Sequence, residues 1–219
     1  MQLMVFSYWK TFLKSCCKNV FQYAKTISCT YHPISFLSIE ETNYGIVWGN
    51  VTNEIMIGHA AAPTLNHAEI LDILLHVPFS GKLFLPLEYG EEQYRNEIKN
   101  KANLLFNGRT EFLETRLEMQ AYYQRLSSVG FAVFNFRWQE SLGNIIFLIW
   151  NGTKIFLKKE SSVYQQFTAW GLHVFTIEHD LNEENIVELL AMEKRLENRN
   201  IIENLFSREK VKKYWERLM

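Results

Sequence analysis

FAVFNFRWQESLGNIIFLIW, residues 131–150, is the stretch whose reading decides the fold. An apolar run from Phe131 through Phe134 stops abruptly at polar groups: Asn135, Arg137, Gln139 and Glu140. Gly143 and Asn144 then open a second apolar run, now at helical spacing. A buried strand, a polar loop and a buried helix in that order form the βα corner of a parallel sheet. In such sheets ligands sit beyond the carboxyl ends of the strands. The loop places a guanidinium, amides and a glycine where a helix N-terminus turns its N–H groups toward an anion.

The same alternation runs outward from this corner. Residues 54–59 (EIMIGH), 82–87 (KLFLPL), 110–113 (TEFL), 131–136, 154–157 (KIFL) and 173–177 (HVFTI) are predicted strands. Residues 66–77, 91–105, 119–128, 142–150 and 162–170 are predicted helices, the last two closed by Gly152 and Gly171. In the first helix Ile70, Ile73, Leu74 and Val77 share a face, Asn66 stands at the N-cap and Pro78 stops the run. The tail from residue 182 is predicted helical, broken at 198–200. Strands alternating with helices require right-handed crossovers and a parallel sheet covered on both faces. The strands are continuous apolar runs, as burial on both faces demands. The expected fold is an α/β, doubly wound, Rossmann-like domain of about six strands over residues 51–219.

Residues 1–50 break the pattern and read as a remnant of a preceding domain or as an interaction segment. Residues 36–39 and 45–49 are strand candidates there. The segment has no Asp or Glu before Glu40 but carries Lys10, Lys14, Lys18 and Lys25. Phe6, Trp9, Leu13, Cys16 and Val20 fall near one helical face, which suits either an amphipathic helix awaiting a partner chain or one lying on an anionic membrane surface. Lys10 and Lys14 interrupt too early for a signal-peptide core. Three cysteines, two of them adjacent, make a poor disulfide framework and fit a reducing cytoplasm. The 47% hydrophobic content sustains a packed core, and a net charge of -1 makes nucleic acid an unexpected partner.

Three loops converge on the carboxyl edge of the predicted sheet. The first, residues 58–67 (GHAAAPTLNH), offers small residues and a helix start beside Gly58, His59, Asn66 and His67. It is neither a P-loop nor a G-x-G-x-x-G turn, so ATPase and dinucleotide readings are weak. The second brings Glu88 and Tyr89, groups suited to a base or sugar. The third brings Asn135, Arg137, Gln139, Gly143 and Asn144, with Arg137 offering a fork that matches phosphate. Each has a plainer alternative: the histidines cap or fill, and Arg137 pairs with Glu140 or Glu111.

At these residues the sequence resembles the TDP-N-acetylfucosamine:lipid II N-acetylfucosaminyltransferases and related 4-amino-4-deoxysugar transferases, glycosyltransferase family 56. In the first loop Gly58, Ala61, Pro63, Thr64, Asn66 and His67 match the family pattern, while His59, Ala60 and Leu65 depart from it. Pro86, Leu87, Tyr89 and Gly90 match a second element. Phe134, Asn135, Arg137, Gln139, Leu142, Gly143 and Asn144 match a third, followed by Trp150, Gly152 and Lys154. The resemblance implies the C-terminal, donor-binding domain of a GT-B glycosyltransferase with a truncated N-terminal part. It implies transfer of a 4-acetamido-4,6-dideoxyhexose from a TDP-sugar to a lipid-linked saccharide acceptor, in enterobacterial common antigen or O-antigen synthesis. The work would be done at the cytoplasmic face of the inner membrane. No metal or other cofactor is expected, since the chain has no Asp-x-Asp triplet. The first loop and the 143–144 helix start would face the pyrophosphate, Glu88 and Tyr89 the base or ribose, and Asn135 and Gln139 the sugar. No residue is assigned as catalytic base. Two other readings stand beside this one: a non-catalytic nucleotide-sugar-binding or scaffold domain, and an unrelated flavodoxin-like binding protein.

Overall fold

A computed structural model describes residues 45–206, together with Val5–Phe6, Thr26–Ile27, Lys213 and Glu216. Strands β1 (Val5–Phe6) and β2 (Thr26–Ile27) form a short parallel pair. The predicted strand at 36–39 and most of the predicted amphipathic helix of the first twenty residues lie outside the described residues.

The main sheet has six strands: β3 (Thr52–Ile57), β4 (Lys82–Pro86), β5 (Thr110–Leu113), β6 (Val129–Phe134), β7 (Lys154–Leu157) and β8 (Phe175–Thr176). All pair in parallel, in the order β5-β4-β3-β6-β7-β8. Strand order reverses between β3 and β6, which makes their carboxyl ends the switch point. Every residue of β6 is buried, as expected of a central strand covered on both faces.

Among the described residues eight α-helices are assigned: α1 (His67–Leu75), α2 (Glu92–Leu105), α3 (Met119–Leu126), α4 (Leu142–Asn151), α5 (Ser162–Ala169), α6 (Ile177–Asp180), α7 (Glu183–Val187) and α8 (Met192–Phe206). They divide between the two faces of the sheet. Ile70 and Leu74 of α1, Ile98 and Ala102 of α2 and Ile186 of α7 pack with Ile55, Leu83, Phe131 and Phe156 on one face. Tyr123 and Leu126 of α3, α4, Phe167 of α5 and Ile202 and Phe206 of α8 pack with Met56, Phe84, Ala132 and Phe134 on the other. Helix α4 is apolar nearly all round because it is sandwiched between the sheet and α8. Its Trp150 donates to Glu203 on α8 at 2.9 Å.

Two expectations are corrected. Residues 45–49 do not form a strand: Asn50 N–H donates to the Val47 carbonyl and closes a turn. Ile46 and Trp48 pack on the core instead, and the Trp48 indole donates to the Trp150 carbonyl at 2.6 Å. The tail helix is not broken at 198–200. Helix α8 runs through, and the interruption lies at residues 188–191. Asn198 is fully buried because its side chain accepts from the His173 N–H at 2.7 Å and donates to the His173 carbonyl at 3.2 Å. What reads as a polar breaker is a clamp on the chain entering β8.

Candidate functional site

Beyond β3 the chain turns at Gly58, whose N–H donates to the Val133 carbonyl on β6 at 3.0 Å. Its φ is +64°, and a Cβ there would lie 3.0 Å from Cε1 of His67 and closer still to Nε2. Only glycine fits both demands. His67 fills the space beneath at 0% exposure. Its backbone N–H donates to the Tyr94 hydroxyl at 3.2 Å, with Nδ1 equally near that oxygen, while Nε2 has no partner. Burial, with the neighbouring His59 adding to it, pushes the His67 pKa down to about 4. His59 is likewise lowered to about 4 by burial. Its Nδ1 is unpartnered, its Nε2 lies 3.9 Å from Glu140, and its ring sits 6.2 Å from that of Tyr89. Both imidazoles are therefore neutral at pH 7.

The small residues of this loop are committed to the protein itself. Ala61 N–H donates to the Tyr89 carbonyl at 2.7 Å, and its own carbonyl accepts from Glu91 N–H at 2.8 Å. This bridge ties the β3 loop to the β4 loop at Gly90, where φ is +116° and a Cβ would strike Ala61. Asn66 occupies the N-cap position of α1 but does not cap it. Its φ is 47°, and its side-chain amide donates to the carbonyls of Thr64 at 3.2 Å and Asn135 at 3.1 Å. Asn135, 1% exposed, donates to Glu69 at 2.8 Å and accepts from Lys158 Nζ at 3.4 Å. These bonds stitch the two loops of the switch point together.

The β6–α4 corner is more open. Arg137, Trp138 and Gln139 are exposed. Arg137 pairs with neither carboxylate proposed for it: Glu111 binds Arg125 at 2.8 Å, and Glu140 sits beside His59. Ser141 enters α4 with a φ of 53° and gives no side-chain cap, and its buried Oγ has no partner. Gly143 has open space on its Cβ side. Both helices at the switch point are thus entered through a left-handed, non-glycine residue, a conformation that concentrates at functional sites.

A cleft of about 710 Å³ lies next to this corner, beyond β4 and β5. The β4 loop supplies Glu88 and Tyr89, the β5 loop Arg116, Leu117 and Glu118, α3 supplies Met119, Tyr122 and Tyr123, and α4 supplies Asn144. Asn144 donates to the Tyr122 hydroxyl at 3.0 Å. Tyr89 is 53% and Met119 49% exposed. Burial raises the Glu88 pKa, and its Oε2 is buried with no hydrogen-bond partner among the described residues.

The structure brings Glu88, Tyr89 and Asn144 together in this cleft. Gly58, His59, Asn66, His67 and Asn135 build the adjoining crevice. Arg137 and Gln139 stand exposed on the loop that continues from Asn135, and Gly143 lies in the first turn of α4. Sequence reasoning missed Arg116, Met119, Tyr122 and Lys158. Tyr122 precedes Tyr123, and only Tyr123 and Leu126 of that helix are buried; the packing alone separates the two tyrosines, and the sequence carries no signal of it. Among the described residues no three His, Cys, Asp or Glu side chains gather as metal ligands, and no helix is long and apolar enough to cross a membrane.

Solved structures share this architecture. Alr3699/HepE of Anabaena, in complex with UDP and glucose, matches with a TM-score of 0.68 at 14% identity, over 98% of this chain and 62% of that one. A UDP-forming α,α-trehalose-phosphate synthase of Burkholderia vietnamiensis matches at 0.67 and 7% identity, over 98% and 58%. AviGT4, a glycosyltransferase of avilamycin A biosynthesis, matches at 0.62 and 12%, over 96% and 60%. The chain therefore spans about three fifths of the length of these solved chains. At such identities the likeness is one of fold. A family model described as 4-alpha-L-fucosyltransferase, glycosyl transferase group 56, matches residues 29–219. With most of its length matched, the chain belongs to the 4-alpha-L-fucosyltransferase family, glycosyl transferase group 56.

Proposed function

We propose that this chain binds a TDP-sugar and transfers its 4-acetamido-4,6-dideoxyhexose to a lipid-linked saccharide, as in the assembly of enterobacterial common antigen or O-antigen. One observation carries the reading: the cleft is lined both by the half-exposed Tyr89 and Met119 and by Asn144, in the uncapped first turn of α4. A nucleoside suits the apolar walls, and a diphosphate suits the helix start. A neighbour of the same fold holds UDP and glucose, which supports a nucleoside diphosphate as the ligand type.

Breaking the sugar–phosphate bond builds negative charge on the leaving β-phosphate. The first-turn N–H groups of α4 and the Arg137 guanidinium would stabilise that charge without a metal. Neutral His59 would act as a hydrogen-bonding group rather than a cation, while His67, fully buried against Gly58, would support that turn. Gln139 would meet the sugar, and Asn135, bonded to Glu69 and Lys158, would hold the loop that presents it. A lipid-linked acceptor places the work at the cytoplasmic face of the inner membrane, with the protein bound peripherally. Residues 1–50 are a candidate contact for that surface or for a partner chain.

The test is TDP release from a TDP-sugar with and without lipid-linked acceptor. Acceptor-dependent release is expected. TDP binding without turnover would make the chain a donor-binding module, and absence of TDP binding would overturn the reading.

A further inference from the structure

We propose that Tyr122 and Glu88 read the imide edge of a pyrimidine base, the hydroxyl donating to a ring carbonyl and the carboxylate accepting from N3–H. The inference rests on the cleft being the nucleotide site and names the chemistry by which that site recognises its base.

The argument is one of unsatisfied valence. The Tyr122 oxygen accepts from the Asn144 amide at 3.0 Å. Burial and the nearby Glu88 and Tyr89 raise its pKa, so it keeps its proton. That O–H has no acceptor among the described residues, although it lines the cleft. Glu88 is its complement. No hydrogen bond from another described residue reaches the Glu88 carboxylate, which feels its own backbone N–H and the charge of Arg95, and Oε2 is buried without a partner. A buried acceptor without a donor is costly and calls for an explanation. The two groups line the same cleft, and the charge of Glu88 is felt at the Tyr122 hydroxyl. An imide presents a carbonyl beside an N–H in one rigid plane, so one flat ring satisfies both. The half-exposed Tyr89 and Met119 supply the apolar faces such a ring would cover.

The experiment titrates TDP and N3-methyl-TDP into the wild type, Glu88→Ala and Tyr122→Phe. In the wild type, methylation should weaken binding about tenfold or more, the scale of a lost hydrogen bond to a charged group. In Glu88→Ala that penalty should shrink to about twofold, because no acceptor remains to lose. Tyr122→Phe should weaken both ligands alike, by roughly fivefold. A methylation penalty below twofold in the wild type would overturn the assignment, as would a tenfold penalty that survives in Glu88→Ala. The second outcome would move Glu88 to the ribose. Failure of the wild type to bind TDP at all would instead remove the nucleotide reading itself.

Discussion

The crevice between β3 and β6 and the cleft beyond β4 and β5 share one edge of one sheet, yet they treat their carboxylates in opposite ways: Glu69 is bonded to Asn135, and the buried Oε2 of Glu88 has no partner among the described residues. In the crevice, Asn66, Glu69, Asn135 and Lys158 are bonded to one another or to backbone across the two loops. In the cleft, Tyr122 retains an unused donor and Glu88 an unused acceptor. The difference separates two kinds of residue at this edge. Those in the crevice hold the edge in shape, and those in the cleft are left for a ligand. Perturbing the crevice should therefore cost stability, while perturbing the open groups should cost binding.

The two buried histidines give the largest expected effect. Each has a folded-state pKa near 4 against 6.5 for an unperturbed imidazole. Between those values the unfolded chain binds more protons than the folded one. Stability is thus full above about pH 7 and falls as pH drops toward 4, by roughly 3 kcal/mol per histidine at most. Denaturant titrations at pH 7 and 4.5 should show this loss, and His59→Gln or His67→Gln should each flatten it. An unaltered pH slope in both variants would show that the histidines are not held neutral.

Glycines of the matched motifs should split along the same line. Gly58→Ala forces a side chain into a left-handed residue and onto His67, at a cost of about 2–4 kcal/mol in a denaturation curve. Gly143→Ala meets no atom within 4 Å and lies inside a helix, so it should be neutral or stabilise by about 0.5–1 kcal/mol. Similar losses for both would erase the distinction between crevice and helix start.

Most of the scaffold was legible because local pattern and tertiary demand agree. The strand at Lys154–Leu157 falls where its apolar run places it, since a strand buried on both faces needs an unbroken run. The errors arise where a polar residue answers to a distant partner. Asn198 reads as a helix breaker until its clamp on His173 is seen. Asn66 reads as an N-cap until its amide is found on the Asn135 carbonyl, 69 residues away. The candidate site was legible as three loops but not as a cavity. Tyr122 could not be told from a core aromatic, because only the packing of α3 shows that its hydroxyl faces the opening.

Asn135→Ala probes the stitching between the loops. It removes the bonds to Glu69 and Lys158 from a site with 1% exposure. The expected loss is about 1–2 kcal/mol, read by denaturation. No loss would mean that the crevice is held by backbone contacts such as Gly58 to Val133 alone.

Arg137→Ala is the sharpest comparison because its effect on stability should be the smallest. Arg137 is exposed, and no side chain among the described residues pairs with it. A surface substitution of this kind changes stability by less than about 0.5 kcal/mol. A guanidinium gripping a phosphate is a charge-assisted, forked contact, so TDP binding should weaken more than about tenfold. Arg137→Lys keeps the charge but loses the fork, and should fall between the two. An unaltered calorimetric affinity in Arg137→Ala would take the residue out of the site. The diphosphate would then depend on the first turn of α4, whose uncapped N–H groups are fixed by the backbone and survive any substitution except one that unwinds the helix.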